Sequence, residues 1–155
     1  MQGRPNAAGL APRAAKAMAD SIDTYRTVTP YLVVPDADTE LTFLKTAFGA
    51  SEMNCQRNQD NSVMHAEIKI GDSLIMLGQA GDEWKALSAA LYLWVENVDA
   101  TYTKALQAGA RSQSVPEDKP YGHRNAGVVD QNGITWWIGA PIKKAPGAQV
   151  RDAAL

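Results

Sequence analysis

The chain has 155 residues, the length of one ordinary domain or of two fused modules of about 60 to 70 residues each. A hydrophobic content of 45% excludes a chain that is disordered over most of its length. The formal net charge of -2 gives no attraction to a polyanion, so we expect no nucleic-acid partner. No apolar run approaches the ~20 residues that cross a bilayer, so we expect no membrane partner either.

The single cysteine, Cys55, cannot form an internal disulfide, and no apolar signal segment stands near the N-terminus. We therefore expect a cytoplasmic protein. The histidines are His65 and His123, and no Cys-x-x-Cys or His-Glu-x-x-His spacing occurs. The usual ligands of a structural zinc site are thus missing.

The N-terminal segment differs in composition from the rest of the chain. It carries three basic side chains and no acidic one before Asp20, and Pro12 is suited to open a short helix through Ala19. We predict that residues 1–26 are an extension, either an exposed tail or an arm lying on a partner subunit. An organelle transit peptide and an over-long start are the alternatives.

A strand, a turn and a helix are predicted first. The β-branched and aromatic run Tyr31–Val34 ends at Pro35 and is typical of a strand that enters a turn. Asp38 is predicted to cap a helix over residues 39–48, which places its apolar side chains on one face, and Gly49 supplies the stop.

A polar linker around Asn58–Asn61 follows, and then a predicted β-hairpin. Its strands are Val63–Ile70 and Ser73–Gly78, joined by a turn at Gly71–Asp72.

The same order returns at an offset of 61 residues. Tyr92 to Asp99 predicts a strand and a helix cap, and the helix runs to Gly109. After a polar linker around Pro116–Pro120, residues 125–129 and 134–138 form a second predicted hairpin. Strand, helix and closing hairpin in one order at one offset indicate an internal repeat.

The chain resembles the glyoxalase/bleomycin-resistance branch of the vicinal-oxygen-chelate superfamily. The segments that carry this resemblance are Tyr31–Asp36, Phe43–Ala50, His65–Asp72, Val95–Asp99, Ala108–Ala110, Tyr121–Arg124 and Asp130–Gly133. The resemblance implies an α+β fold of two tandem βαβββ modules, which form a concave mixed β-sheet cavity with helices on the convex face. It implies a domain over residues 27–143, with modules at about 27–80 and 88–141, and a tail over 144–155.

The resemblance also implies a divalent metal, held by side chains that project from the concave face. Carried over by register, the ligand positions are Thr29, Ile75 or Met76, Ala90 and Trp137. None of these side chains is a usual ligand for such an ion. We therefore expect the fold without the metal and without any other cofactor.

Strand alternation leaves polar groups for the concave face. In the run from Met64 to Ile70, the side chains of Met64, Ala66, Ile68 and Ile70 face one way and those of His65, Glu67 and Lys69 the other. If the helices cover the apolar set, His65 and Glu67 face the cavity as a candidate catalytic pair. A solvated strand face is the alternative.

Aromatic side chains are the other signal for a site. The register places Tyr31, Met76, Tyr92, Trp94 and Trp137 on the concave side and Trp136 under the helices. Such rings bind a flat or cationic ligand by stacking, or they simply fill the pocket. Tyr121, His123 and Arg124 stand in a Gly-containing loop next to the cavity, and they complete the predicted ligand-binding set.

These observations favour a metal-free small-molecule binding protein of the bleomycin-resistance type, acting as a homodimer. Its ligand would be an aromatic or heterocyclic compound that is sequestered and not transformed. The alternative is an enzyme, a glyoxalase-like lyase or isomerase or a hydrolase, with a non-standard site built on His65 and Glu67. A third possibility is an interaction subunit whose cavity is vestigial.

Overall fold

The computed structural model describes residues 25–143. The predicted helix from Pro12 to Ala19, most of the 1–26 extension and the tail 144–155 lie outside the described residues. Among the residues it describes, no helix is both long and apolar enough to cross a membrane.

Within residues 25–143, two four-stranded mixed sheets and two helices form an α+β fold. In chain order the elements are β1 (Tyr31–Val34), α1 (Ala37–Phe48), β2 (Ser51–Arg57), β3 (Val63–Ile70), β4 (Ser73–Gln79), β5 (Ala90–Trp94), α2 (Val98–Gln107), β6 (Arg111–Asp118), β7 (His123–Val129) and β8 (Thr135–Pro141). The strand orders are β1-β4-β3-β2 and β5-β8-β7-β6. The first strand of each module pairs in parallel with the fourth, and the other pairs are antiparallel. The predicted fold of two βαβββ modules is confirmed.

One strand in each module, β2 and β6, was not predicted from the sequence pattern. β2 precedes the predicted linker at Asn58–Asn61, and β6 overlaps the one at Pro116–Pro120. In the described part of the chain both are outer strands with a single partner, and most of their side chains are exposed. A strand of this kind lacks the apolar alternation that marks a half-buried strand, because little of either face is covered.

The first helix begins two residues earlier than predicted. Asp36, not Asp38, is the cap, because its extended backbone lets Oδ1 accept from the Thr39 amide at 3.0 Å. Asp38 lies in the first turn, where it forms an ion pair with Arg57 at 2.6 Å. Gly49 ends the helix with a φ of 65°, as expected for a left-handed cap.

The second helix shows the same shift of its cap. Asn97 Oδ1 accepts from the Ala100 amide at 2.9 Å, so Asn97 and not Asp99 is the cap. Asp99 stands in the first turn, where the helix dipole favours a carboxylate.

The helix-covered sides of the two sheets share one hydrophobic core. Trp136 on β8 is only 2% exposed, and its ring lies edge-on to that of Phe48 from α1, with 5.0 Å between centroids. Its neighbour Trp137 points to the opposite face, as strand alternation predicts. The opposite faces of both sheets therefore remain available to a ligand or a partner.

A polar network ties the two modules together at one end of this core. Asp130, after β7, accepts from the amides of Asn132 and Ile134 and from Trp136 Nε1, at 2.9, 3.0 and 2.8 Å. The Asn132 side chain then reaches α1 of the first module and donates to Glu40 Oε2 at 2.9 Å.

Glu40 is a fully buried acid, with no exposed surface. Burial, and next to it the charge of Asp130, raise the pKa of Glu40 to about 8. Glu40 Oε1 has no hydrogen-bond partner among residues 25–143, so nothing there offsets the cost of burying a charge on this oxygen. Burial therefore favours the protonated form of Glu40, and its link to the second module is the hydrogen bond that Oε2 accepts from Asn132.

Candidate functional site

A cavity of about 420 Å³ opens on the face of the first sheet that the helices do not cover. Its size falls within the range of small-molecule sites. It is lined by Tyr31, Val33, Asn58, Met64, Gly78, Gln79 and Trp84.

Met64 belongs to this cavity and not to the core, which corrects the predicted alternation along β3. Its side chain is 50% exposed, whereas Val63 and Ala66 are fully buried. The pairing with β2 shifts register opposite this segment, between Gln56 and Arg57. Such an irregularity adds a residue to the strand and reverses the side on which the following side chains stand.

Next to the cavity, Glu67 is the centre of a hydrogen-bonded chain of side chains. It is 2% exposed, and its Oε1 accepts from the Tyr25 hydroxyl at 2.5 Å. His65 Nε2 lies 3.3 Å from the same oxygen, and the Tyr31 hydroxyl lies 3.4 Å from His65 Nδ1. Because a carboxylate only accepts, this network assigns the imidazole proton to Nε2.

Tyr25 was not predicted as a site residue. It precedes β1, within the segment predicted to be an extension, and it stands 42 residues from the acid to which it donates. No local sequence pattern signals a hydrogen bond over that separation.

The second module repeats part of this arrangement. Tyr31 lies over Gly78, and at the same offset of 61 Tyr92 lies over Gly139, where an added Cβ would meet the tyrosine ring. The Tyr92 hydroxyl accepts from Asn125 Nδ2 at 2.8 Å, and Asn125 is 5% exposed. Asn125 is therefore the hydrogen-bond partner of the Tyr92 hydroxyl, as His65 is of the Tyr31 hydroxyl in the first module.

The two modules differ at the position of the acid. Glu67 pairs with Met76 in the first module, and the corresponding pair in the second is Gly127 with Trp137. A Cβ added to Gly127 would lie 2.7 Å from the Trp137 ring. The ring thus covers the place where the first module has a carboxyl group, so one half-site is acidic and the other aromatic.

Four predicted ligand-binding residues form a connected cluster of rings, which we call the aromatic surface: Tyr92, Trp94, Tyr121 and His123. The centroid of Trp94 lies 4.8 Å from that of Tyr92 and 5.0 Å from that of His123, which lies 5.5 Å from Tyr121. Trp94 is 57% exposed and Tyr121 65%. The rings meet at interplanar angles of 42°, 86° and 83°, so they form a ridged apolar area in which a planar ligand can stack on one exposed ring.

Arg124 is not part of this surface, although it was predicted to bind the ligand. Its guanidinium group binds both carboxylate oxygens of Asp99 on α2, at 2.6 and 2.8 Å, and Asp118 at 2.9 Å. Successive side chains of a strand point to opposite faces, so Arg124 lies on the helix side while His123 lies on the aromatic side. These hydrogen bonds hold the pKa of Asp99 below its usual range.

A larger cavity, of about 740 Å³, lies beside the edge strand β5. Its apolar lining includes Phe48, Ile75, Leu91 and Leu93. Neither cavity described within residues 25–143 is lined by side chains of both half-sites, the Tyr31–His65–Glu67 group and the aromatic surface. Neither of these two cavities brings the predicted site residues together.

The metal-ligand positions that the resemblance implied do not fit a divalent ion. Thr29 donates its hydroxyl to the Arg26 carbonyl at 3.1 Å, and Met76, Ala90 and Trp137 offer no oxygen or imidazole ligand. In the part of the chain that the structure covers, no three or more His, Cys, Asp or Glu side chains are arranged to hold a metal.

Comparisons with known proteins agree with this fold. The sequence model of the Glyoxalase/Bleomycin resistance protein/Dioxygenase superfamily matches residues 17–138. The uncharacterized protein Mb0911c of Mycobacterium bovis is 28% identical over 86% of this chain and 95% of its own length. Uncharacterized protein Rv0887c of Mycobacterium tuberculosis is also 28% identical, over 86% of this chain and 85% of its own length.

Solved structures show the same fold at lower identity. TioX from Micromonospora sp. ML1 superposes with a TM-score of 0.62 and 22% identity, over 77% of this chain and 99% of that one. A glyoxalase-related enzyme from Clostridium phytofermentans gives a TM-score of 0.60 at 15% identity, over 76% and 96% of the two chains. The fosfomycin resistance protein FosX from Mesorhizobium loti gives 0.56 at 14% identity, over 74% and 91%.

Proposed function

Because this chain belongs to the glyoxalase/bleomycin resistance protein/dioxygenase superfamily, we propose that it binds and sequesters an aromatic or heterocyclic small molecule without using a metal. The observation that carries this proposal is the aromatic surface, with Trp137 at a position where the superfamily resemblance implied a metal ligand. Each favourable ring contact with a planar ligand contributes about 0.5–1.5 kcal/mol beyond the area that it buries.

We propose that the working unit is a homodimer located in the cytoplasm. The two half-sites lie on different sheets of one chain, and a second copy could set the acidic face of one chain against the aromatic surface of the other. The outer edge of β5 supports this, because no backbone group within residues 25–143 pairs with it. The interface should exceed ~1,000 Å² in total. Sedimentation velocity at tens of micromolar tests it, and a purely monomeric species would contradict it.

Trp94→Ala tests the aromatic surface directly. Titration with planar heterocycles, such as acridine, quinoline and phenazine, should show affinity lowered by about 1–3 kcal/mol, with little change in melting temperature. Trp137→Ala should behave in the same way, because this ring also lies on the concave side.

The matched control is Trp136→Ala, since this tryptophan is adjacent in sequence but buried in the core. It should cost on the order of 3–5 kcal/mol of folding free energy and leave the affinity of the folded fraction unchanged. A Trp94→Ala variant that is strongly destabilised but binds normally would mean that its ring is packing material, and the proposed function would lose its main support.

The arrangement of His65 and Glu67 favours a second candidate, a glyoxalase-like lyase or isomerase. The carboxyl group orients the imidazole through Nε2, which leaves Nδ1 as the basic atom beside the Tyr31 hydroxyl. Elemental analysis of protein purified without chelator separates the two candidates. Near-stoichiometric zinc, nickel, manganese or iron would favour the enzyme, and an absence of metal would favour the binding protein.

A further inference from the structure

Glu67, the buried acid of the first module, has no acidic counterpart in the second module. Its structural counterpart in the second module is Gly127, and the ring of Trp137 covers that position. A carboxyl group that is 2% exposed loses its hydration, and this cost must be offset by hydrogen bonds or an opposite charge. The acid therefore needs a polar partner that the βαβββ module itself does not fully supply.

The partner comes from outside the module. Tyr25 precedes β1, and its hydroxyl lies 2.5 Å from Glu67 Oε1, the distance of a hydrogen bond to an ionic acceptor. His65 approaches the same oxygen. Glu67 Oε2 has no donor among residues 25–143. The phenol side chain of Tyr25 is thus bound by the Glu67–His65 pair, in which Glu67 Oε2 remains as a further acceptor.

The surroundings of this pair suit a ring. Gly78 has no side chain, and a Cβ there would lie 3.0 Å from the Tyr31 hydroxyl and 2.9 Å from the Met64 carbonyl. The adjoining cavity of about 420 Å³ continues along Tyr31, Met64 and Trp84. A ligand whose hydroxyl reached Glu67 would therefore have apolar and aromatic surface for the rest of its body.

We propose that the Glu67–His65 pair is a receptor for a phenolic hydroxyl group, which the side chain of Tyr25 occupies in this structure. The ligand class is a phenol, bound through its O–H to the Glu67 carboxyl group, and binding displaces Tyr25. This inference rests on the proposed binding function and names the ligand class of the same site.

The test replaces the tyrosine side chain by its detached equivalent. The full-length Tyr25→Ala variant is titrated calorimetrically with p-cresol, which is the tyrosine side chain, and with toluene, which lacks the hydroxyl. We expect p-cresol to bind at least about tenfold more tightly than toluene. In the Tyr25→Ala/Glu67→Gln double variant the preference should fall to about twofold or less. Equal binding of the two probes by Tyr25→Ala, or a preference that survives in the double variant, would overturn the proposal.

A second variant tests the displacement. Tyr25→Phe keeps the ring but cannot donate to Glu67, so p-cresol should bind this variant about tenfold more tightly than it binds the unmodified protein. Equal affinities would show that Tyr25 does not compete for the site. If Tyr25→Ala fails to fold, the p-cresol and toluene comparison on Tyr25→Phe decides in its place.

The outcomes also separate this inference from the proposed function. Heterocycle binding that depends on Trp94, together with no preference for p-cresol over toluene, would leave the proposed function intact and refute the phenol receptor. A preference for p-cresol over toluene, together with heterocycle binding that does not depend on Trp94, would support the phenol receptor. It would also remove the aromatic surface from the proposed function.

Discussion

Glu40→Gln is predicted to change how the stability of this protein depends on pH. Glutamine has nearly the shape of a protonated glutamate. Its amide oxygen can accept from Asn132 as Glu40 Oε2 does, and its side chain carries no charge. The variant should therefore fold and keep the junction between the modules.

The sign follows from the pKa of Glu40, which rises from an ordinary value of 4.5 to about 8 in the folded protein. Between these values the unfolded chain releases the proton and the folded chain retains it, so the free energy of unfolding falls as pH rises. The loss is about 1.4 kcal/mol per pH unit, and on the order of 3–5 kcal/mol over the whole window. Below about pH 4.5 none of this stability has been lost, and above about pH 8 the loss is complete.

The assay is urea denaturation of both proteins at one-unit steps from pH 5 to pH 9. The two should differ little at pH 5, and Glu40→Gln should be the more stable by a few kcal/mol at pH 8 and above. Other groups titrate in both proteins, so the difference between the curves isolates this one. Glu52→Gln is the matched control, because Glu52 is exposed and forms a surface ion pair with Lys45, and its effect should stay below about 1 kcal/mol. Parallel curves for Glu40→Gln and the unmodified protein would refute a neutral buried Glu40.

Two further predictions concern the glycine under Tyr92 and the metal. Gly139→Ala places a methyl group 2.7 Å from a Tyr92 ring carbon, so the ring must shift and strain its hydrogen bond with Asn125. We expect thermal unfolding to show a loss of about 1–3 kcal/mol in the free energy of unfolding. Gly81→Ala is the control and should change little, because apart from its chain neighbours no atom of residues 25–143 lies within 4 Å of the added carbon. Adding nickel, zinc or manganese should not create methylglyoxal–glutathione isomerisation, and a rate increase of about a hundredfold would show that the ligand positions were carried over wrongly.

Much of the fold could be predicted because its main elements carry local signals. The apolar run of β1, the helix faces and the two hairpin turns are each encoded within a few neighbouring residues. The offset of 61 proved structural as well, since Tyr31 with Gly78 and Tyr92 with Gly139 occupy equivalent places. The outer strands β2 and β6 could not be recognised, because an exposed strand on a sheet edge carries no apolar pattern.

The helix caps show how a local signal can mislead by two residues. Asp36 and Asp38 are both suitable caps by residue type. Only the arrangement of the neighbouring strands decides between them, because the pairing of β2 brings Arg57 to Asp38 and leaves Asp36 free to bond the Thr39 amide.

By itself, the residue pattern determined the first strand, the helix and the closing hairpin of each module, and the sides of β8, with Trp136 in the core and Trp137 on the opposite face. The full βαβββ layout came from the family resemblance. Only the tertiary structure decided which polar groups meet. Tyr25 reaches Glu67 across 42 residues, and Asn132 reaches Glu40 across 92. The physical reason is that alternation and helical periodicity depend on near neighbours, whereas the hydrogen-bond partner of a buried polar group depends on how distant elements pack.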